Sequence, residues 1–322
     1  MPDSYPDAPN IYFSWQKSQW EKLDLDIRKD RLPHAINLVG PSYVGKYQFA
    51  ISLAQRILCL SSLDGHACGQ CKSCKLIFAD NHPDLRRLKP DSKSKILGVD
   101  SIRELGEFFA KTSQQGGWKV VIINPAESMN LNAANALLKN LEEPREKTLI
   151  LLICHQPNRL LATIKSRCRL VRFSVPSLPE VRLWLSKNLA PKEDIEELIQ
   201  YANGSPLLAI KFAETDLLES RRKFDRLLDD LATYKISAIS AAEACKENDP
   251  HMALDWLYYK LVFEIRSGAN INSPVLPFRY MDRLIQSKKL AQSPANLNLL
   301  LIWEELLINW QQLFTKNKQV PK

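Results

Sequence analysis

The sequence predicts an α/β domain built on a parallel sheet, followed by a chain that is helical to its end. Three observations carry this. Short apolar segments alternate with amphipathic ones through the first half. After Pro176 only helical periodicity is found. Gly40, Gly45 and Lys46 have the spacing of a phosphate-binding loop and sit between a strand and a helix.

The elements follow in order. HAINLVG (34–40) is a short apolar run closed by glycine and reads as a buried strand. In QFAISLAQRIL (48–58), Phe49, Ala50, Leu53, Ala54, Ile57 and Leu58 recur with helical spacing. SIRELGEFFAKTS (101–113) is a second amphipathic helix, with Ile102, Leu105, Phe108 and Phe109 on one side. WKVVIIN (118–124) is a β-branched strand, and NAANALLKNLEE (132–143) a helix stopped by Pro144. TLILLIC (148–154) and RLVRFSVP (169–176) are the last two strands. Uninterrupted apolar strands separated by helices imply a parallel sheet covered on both faces. SLPEVRLWLSKNLA and DIEELIQYANGSPLLAIKFAE then read as helices, with a break near Asn203-Gly204. The stretch 267–274 is the most loop-like part of the second half. Leu300, Trp303, Leu307, Trp310 and Phe314 form a terminal helical stripe, widened by Leu299, Ile302 and Leu306. Such a stripe suits the interior of a bundle or a face turned to other subunits, where Trp303 or Trp310 would be an anchor. The expected domains are 1–174, α/β; 175–213, small and helical; and 214–322, all-helical.

Composition sets outer bounds. At 322 residues the chain is long enough for two or three domains, and no apolar run reaches the length of a membrane span. The opening MPDSYPDAPN lacks the basic and apolar regions of a secretory signal, so a cytoplasmic location is expected. A net charge of +8 permits nucleic-acid contact without requiring it.

Four of the seven cysteines, Cys59, Cys68, Cys71 and Cys74, fall in the pattern C-x8-C-x2-C-x2-C. Thiolates two residues apart turn back onto one ion, and four of them complete tetrahedral zinc with no position left for water. The expected role is structural. Reduced surface thiols and an iron–sulfur cluster remain alternatives, as does His66 in place of Cys59. Cys154, Cys168 and Cys245 read as core or boundary residues.

The phosphate loop is incomplete. Backbone N–H groups of Gly40–Lys46, with the Lys46 charge, suit a phosphate. Hydrolysis also needs magnesium ligands and a group to orient water. The hydroxyl expected after the lysine is replaced by Tyr47, and the apolar strand that should end in an acid ends in Asn124-Pro125. The loop supports weak nucleotide binding at most.

NALLKNLEEP followed by TIKSRC, with RLPHAINLVGP and the four-cysteine insertion, resembles the bacterial clamp-loader subunits of the AAA+ superfamily across roughly 30–175. The resemblance implies a RecA-like α/β domain with a zinc knob, a helical lid and an all-helical collar. The family's motor subunits carry Ser or Thr at Tyr47, Asp-Glu at Asn124-Pro125, Thr at His155, and Arg after the Gly-Ser that precedes Pro206 and Leu207. All four departures point to a scaffold subunit without ATPase activity of its own, working within DNA polymerase III. The motif Ser166-Arg167-Cys168 is kept. The resemblance makes Arg167 an arginine finger, reaching the γ-phosphate of ATP held by a neighbouring subunit. Lys165, Arg169 and Arg172 read as solvated charges. The implied partners are ATPase subunits of gamma/tau type, a delta subunit, the sliding clamp and, through the assembly, primed DNA. Two alternatives stand: an ATP-hydrolysing motor subunit, and a zinc-dependent nucleic-acid-binding protein using Arg86, Arg87, Lys89, Lys93 and Lys95.

Overall fold

The computed structural model describes residues 12–91, 94–115, 117–191, 193–269, 271–291 and 298–314. The N-terminal segment discussed above, Lys93 of the basic run and Asn270 of the predicted loop lie outside them. The chain forms two compact units, Met1–Ile210 and Lys211–Lys322.

The first unit starts with a 3₁₀ turn, Ser14–Gln16, and α1 (Lys17–Arg28). There follow β1 (Ala35–Val39), α2 (Lys46–Leu58), α3 (Lys72–Phe78), β2 (Leu85–Leu88), α4 (Val99–Ala110), β3 (Lys119–Ile123) and α5 (Leu131–Glu142). Then come β4 (Thr148–Cys154), α6 (Ala162–Lys165), β5 (Arg169–Arg172), α7 (Leu178–Asn188), α8 (Ile195–Tyr201) and α9 (Pro206–Glu214). The five strands form one sheet in the order β2-β3-β4-β1-β5, and every neighbouring pair is parallel.

The even hydrophobicity of the central strands follows from burial on both faces. Side chains alternate across a strand. Val120, Ile122, Leu149, Leu151 and Ile153 pack with Trp20, Phe49 and Leu53 of α1 and α2. Val121, Ile123, Ile150 and Leu152 pack on the opposite face with Ile102, Leu105, Leu137 and Leu141 of α4 and α5. Both helices ending near the functional loops have clear signals. α2 starts at Gly45, whose φ of 87° is left-handed, and Asn130 caps α5 by accepting from the Ala133 N–H at 2.8 Å.

The second unit contains α10 (Leu217–Ala232), α11 (Ala238–Cys245), α12 (Pro250–Ser267), α13 (Leu276–Ala291) and α14 (Leu299–Leu313). Its core gathers aromatic rings: Phe224 lies 5.6 Å from Trp256 and 6.3 Å from Trp303 between ring centroids, and Tyr280 5.7 Å from Trp310. The Trp310 indole N–H donates to the Leu228 carbonyl at 3.3 Å. The stripe on α14 is thus the inside of this bundle. Trp303 and Trp310, 2% and 1% exposed, are sealed within it and are not interface anchors. The outward face of the same helix carries Leu301 and Ile308, which are exposed.

The elements of the first unit not assigned from the sequence include α1, α3 and β2. Strand β2 is a short edge strand of Leu-Arg-Arg-Leu, where the arginines hide the pattern. No helix among the described residues is long and apolar enough to cross a membrane.

Candidate functional site

The loop Gly40–Lys46 leaves the end of β1 and enters α2. Its lysine points inward. Lys46 is 1% exposed, and its ammonium donates to the Gly40 carbonyl at 2.8 Å and to that of Pro41. The carbonyls of Tyr43, Val44 and Gly45 are also engaged. The Gln16 amide donates to Val44 at 2.9 Å and to Gly45 at 3.0 Å, and the Trp15 indole N–H to Val44 at 3.1 Å. The Leu207 N–H reaches the Tyr43 carbonyl at 3.2 Å.

This arrangement explains why the glycines persist. A Cβ on Gly40 would overlap the Phe173 carbonyl, and one on Gly45 would overlap the Phe13 ring. Gly45 also has positive φ, where a side chain is strained. Each glycine therefore has a packing reason, independent of phosphate.

The positions that would hold magnesium are occupied otherwise. Tyr47 is buried, and its hydroxyl accepts from Arg87 at 3.4 Å while the Lys89 ammonium lies 5.8 Å from its ring centroid. Beyond β3, Asn124 and Pro125 lead into a 3₁₀ turn, Ala126–Ser128. The acid in that turn is Glu127. One of its oxygens accepts the His155 N–H at 2.9 Å and the Gln156 N–H at 3.0 Å. Glu127 clamps the end of β4, a role that sequence reasoning missed; the acidic side chain in the turn after β3 was the available signal. Burial first, and the Lys46 charge second, push the His155 imidazole down to about 3, so it is neutral at ordinary pH.

The cysteine module hangs from the far end of α2. Cys59 follows the last turn of that helix, Cys71 caps α3, and Cys74 lies in the first turn of α3. The ligand atoms of Cys59, Cys68, Cys71 and Cys74 all lie within 4.8 Å of one another, and the Cys59 and Cys71 sulfurs are 3.9 Å apart. Sulfurs about 2.3 Å from one tetrahedral ion fit this spacing. Backbone N–H groups point at three sulfurs: Cys68 to Cys59 at 3.2 Å, Cys71 to Cys68 at 3.3 Å, and Cys74 to Cys71 at 3.5 Å. The N–H groups of Gln70 and Cys71 lower the Cys68 thiol to about 6. His66 stands apart, stacked on Tyr12 and Trp20 at 5.7 and 5.8 Å. The module is tied down by Ser73. Its hydroxyl donates to the Leu58 carbonyl at 2.6 Å and meets the His82 Nε2 at 2.9 Å, while the Asp84 N–H donates to His82 Nδ1 at 3.1 Å.

Arg167 sits just past α6, on the surface. Its Nη2 pairs with Glu142 at 2.7 Å, and Nη1 donates to the Thr163 carbonyl at 3.0 Å. Its side chain is 37% exposed. Nearby Arg169 is not a free solvated charge but is paired with Asp26. Lys165 donates to the Pro157 carbonyl at 3.2 Å, and Arg172 is exposed.

Within the described part of the basic run beside the cysteines, Arg86, Lys89 and Lys95 are exposed, while Arg87 is half-buried and paired. Arg87 pairs with Asp80 at 3.3 Å and donates to the Ile77 carbonyl at 3.2 Å. The Arg86 guanidinium lies 5.4 Å from the Phe108 ring centroid. A groove of about 490 Å³ between α4 and α5 is lined by Arg103, Lys139, Arg145 and Glu143, with Asn135 and Asn140 beside them, and Arg103 pairs with Asp100 at 3.4 Å.

The family described as DNA polymerase III, delta subunit matches residues 15–177. The subunit delta' of DNA polymerase III from Pseudomonas aeruginosa is 35% identical, over 97% of this chain and 99% of that one. The subunit delta' from Haemophilus influenzae is 40% identical over 60% of this chain and 59% of its own length. The tau/gamma subunit of H. influenzae DNA polymerase III is 34% identical over 56% of this chain and 26% of its own.

Two outcomes are expected from this geometry. Lys46→Ala removes a buried ammonium that donates to the carbonyls of Gly40 and Pro41, so unfolding by denaturant should show a loss of about 1–3 kcal/mol, as for hydrogen bonds made by a charged group. Binding of labelled ATP to the isolated chain should not change; a nucleotide affinity that depends on Lys46 would contradict the inward geometry. Elemental analysis should find about one zinc ion per chain and no iron, as four thiolates around one ion require. Cys71→Ser should lose that metal and melt at lower temperature.

Proposed function

The chain belongs to the DNA polymerase III delta-prime subunit family, and from that premise we propose that it serves as the non-hydrolysing scaffold of a clamp loader, completing the ATP site of a neighbouring subunit. The observation that carries this reading is a contrast between two cations in one domain. Lys46 is turned into its own loop and buried, while Arg167 stands at the surface.

The first half concerns the loop. Phosphoryl transfer depends on metal ions and oriented water more than on covalent help from the protein. Tyr47 and Asn124 offer no carboxylate or small hydroxyl for magnesium, and one oxygen of Glu127 is engaged with the backbone of His155 and Gln156. Nothing in this geometry favours the motor-subunit reading. Of the cations the nucleic-acid-binding reading would use, Arg87 is paired with Asp80, while Arg86, Lys89 and Lys95 stay exposed.

The second half concerns Arg167. A planar, permanently charged guanidinium stabilises charge on a transferring phosphoryl group. Supplied by a neighbour, it makes hydrolysis conditional on assembly. In this reading residues 1–174 form the AAA+ domain with its zinc knob, 175–213 the lid and 214–322 the collar. The ATPase neighbours are of the gamma/tau type, a delta subunit completes the ring, and the assembly loads the sliding clamp on primed DNA. Cys59, Cys68, Cys71 and Cys74 would hold zinc in a purely structural role. The groove would offer a phosphate contact through Lys139 and Arg145 beside the amides of Asn135 and Asn140, its charge partly offset by Glu143.

The test is ATP turnover. The isolated chain should hydrolyse none with magnesium. In the reconstituted assembly, Arg167→Ala should cut hydrolysis at the completed site several hundredfold, within the ~10³–10⁵ range of arginine-finger effects or just below it. Normal turnover in that variant would remove the reading. For the groove, Lys139→Ala with Arg145→Ala should weaken primed-DNA binding by the assembly for all sequences alike. The slope of log affinity against log salt should drop by about 1 for each lost phosphate contact. An unchanged slope would exclude the groove as a DNA contact.

A further inference from the structure

We infer that Glu142 is the positioning residue for Arg167, fixing the guanidinium relative to the α/β domain before any neighbour arrives. The inference rests on the reading of Arg167 as an arginine acting in trans.

The first observation is a local conflict in the sequence. Glu142 is the last residue of α5, and Glu143 follows it as the C-cap. Acidic side chains at a helix C-terminus face the negative end of the helix dipole and are unfavourable there. Such violations of a local preference tend to mark function. Among the described residues, the ion pair of Glu142 is with Arg167, at 2.7 Å.

The second observation is the nature of the contacts on Arg167. Thr163 and Ser166 both belong to its own turn: the Thr163 carbonyl accepts from Nη1 at 3.0 Å and the Ser166 hydroxyl lies 3.4 Å away. These partners move with the arginine. Glu142 comes from a different helix, and it is the one cross-element partner of the guanidinium among the described residues. The two supports are themselves well anchored. Leu141 precedes Glu142 in the core at 2% exposure, and Ile164 plugs α6 into the same core at 0%. The Arg167 N–H closes the turn on the Ile164 carbonyl at 3.1 Å.

The third observation is exposure. The pair is accessible, 37% at Arg167 and 49% at Glu142. An exposed pair is weak and readily exchanged. Arg167 can therefore take a phosphate oxygen as an additional or replacement partner without opening the core. Glu142 on one side and Thr163 on the other limit the guanidinium to a small set of orientations, which is the condition for an effective charge at a transferring group.

The test uses the full chain reconstituted with the ATPase subunits. Glu142→Gln keeps size and removes charge. It should lower kcat roughly tenfold with KM little changed, within the 10²-fold that a misplacement of about 1 Å can cost. Its melting temperature should match that of the parent, as for loss of an exposed pair. Combined with Arg167→Ala, Glu142→Gln should cause no further loss, because the two act as one unit. Glu142→Asp should recover part of the activity. A rise in kcat on Glu142→Gln, or losses that add in the double variant, would overturn the positioning role while leaving the trans arginine standing. If Arg167→Ala by itself leaves kcat intact, the premise about Arg167 fails instead, and the positioning role with it.

Discussion

An inward ammonium sets the character of the α/β unit. Lys46 donates to the carbonyls of Gly40 and Pro41, so the loop is satisfied by its own chain. A buried cation needs such partners, because desolvation without them is costly. Once Lys46 is held this way, the rest of the loop follows. Gln16 and Trp15 engage the next carbonyls, Phe13 lies against Gly45, and Tyr47 directs its hydroxyl toward Arg87 on β2. The charge also reaches His155, which stays neutral beside it. The region is a packed joint between β1, α2 and the N-terminal turn.

A joint of this kind leaves the opposite property to Arg167. The same parallel sheet supports both. Strand β1 ends at the closed loop, and β4, its neighbour, leads to the segment that carries α6 and Arg167. Lys46 keeps its charge but is enclosed by backbone carbonyls, while Arg167, paired with Glu142, remains accessible to solvent. The chemistry proposed for the assembly depends on that difference in exposure between the two cations.

Much of this was legible in the residues. Strands β1, β3 and β4 announced themselves because burial on both faces demands continuous apolar runs. Helices α2 and α4 showed an apolar face, and the cysteines showed a spacing that serves one ion. The loss of hydrolytic groups at Tyr47 and Asn124 was readable because those chemistries need particular atoms. What stayed hidden has physical reasons as well. The inward turn of Lys46 onto Gly40 and Pro41, and the packing of Gln16 and Phe13 on Gly45 from some thirty residues away, are not encoded in a local pattern. Strand β2 lies at the sheet edge, where half-exposed arginines are tolerated. Trp303 and Trp310 have the composition of interface anchors, yet a helical stripe looks the same whether its partner is another subunit or the adjacent helix. Glu127 was overlooked because its partners are backbone N–H groups, which carry no side-chain signature.

The close approach of Phe173 and Phe13 to the two loop glycines has a wider consequence. In a nucleotide-binding protein these positions resist substitution because the ligand must come near the backbone. Here the same resistance would arise from protein atoms alone. Sensitivity of a glycine to replacement thus cannot separate a working loop from a silent one in this fold; where the lysine points can.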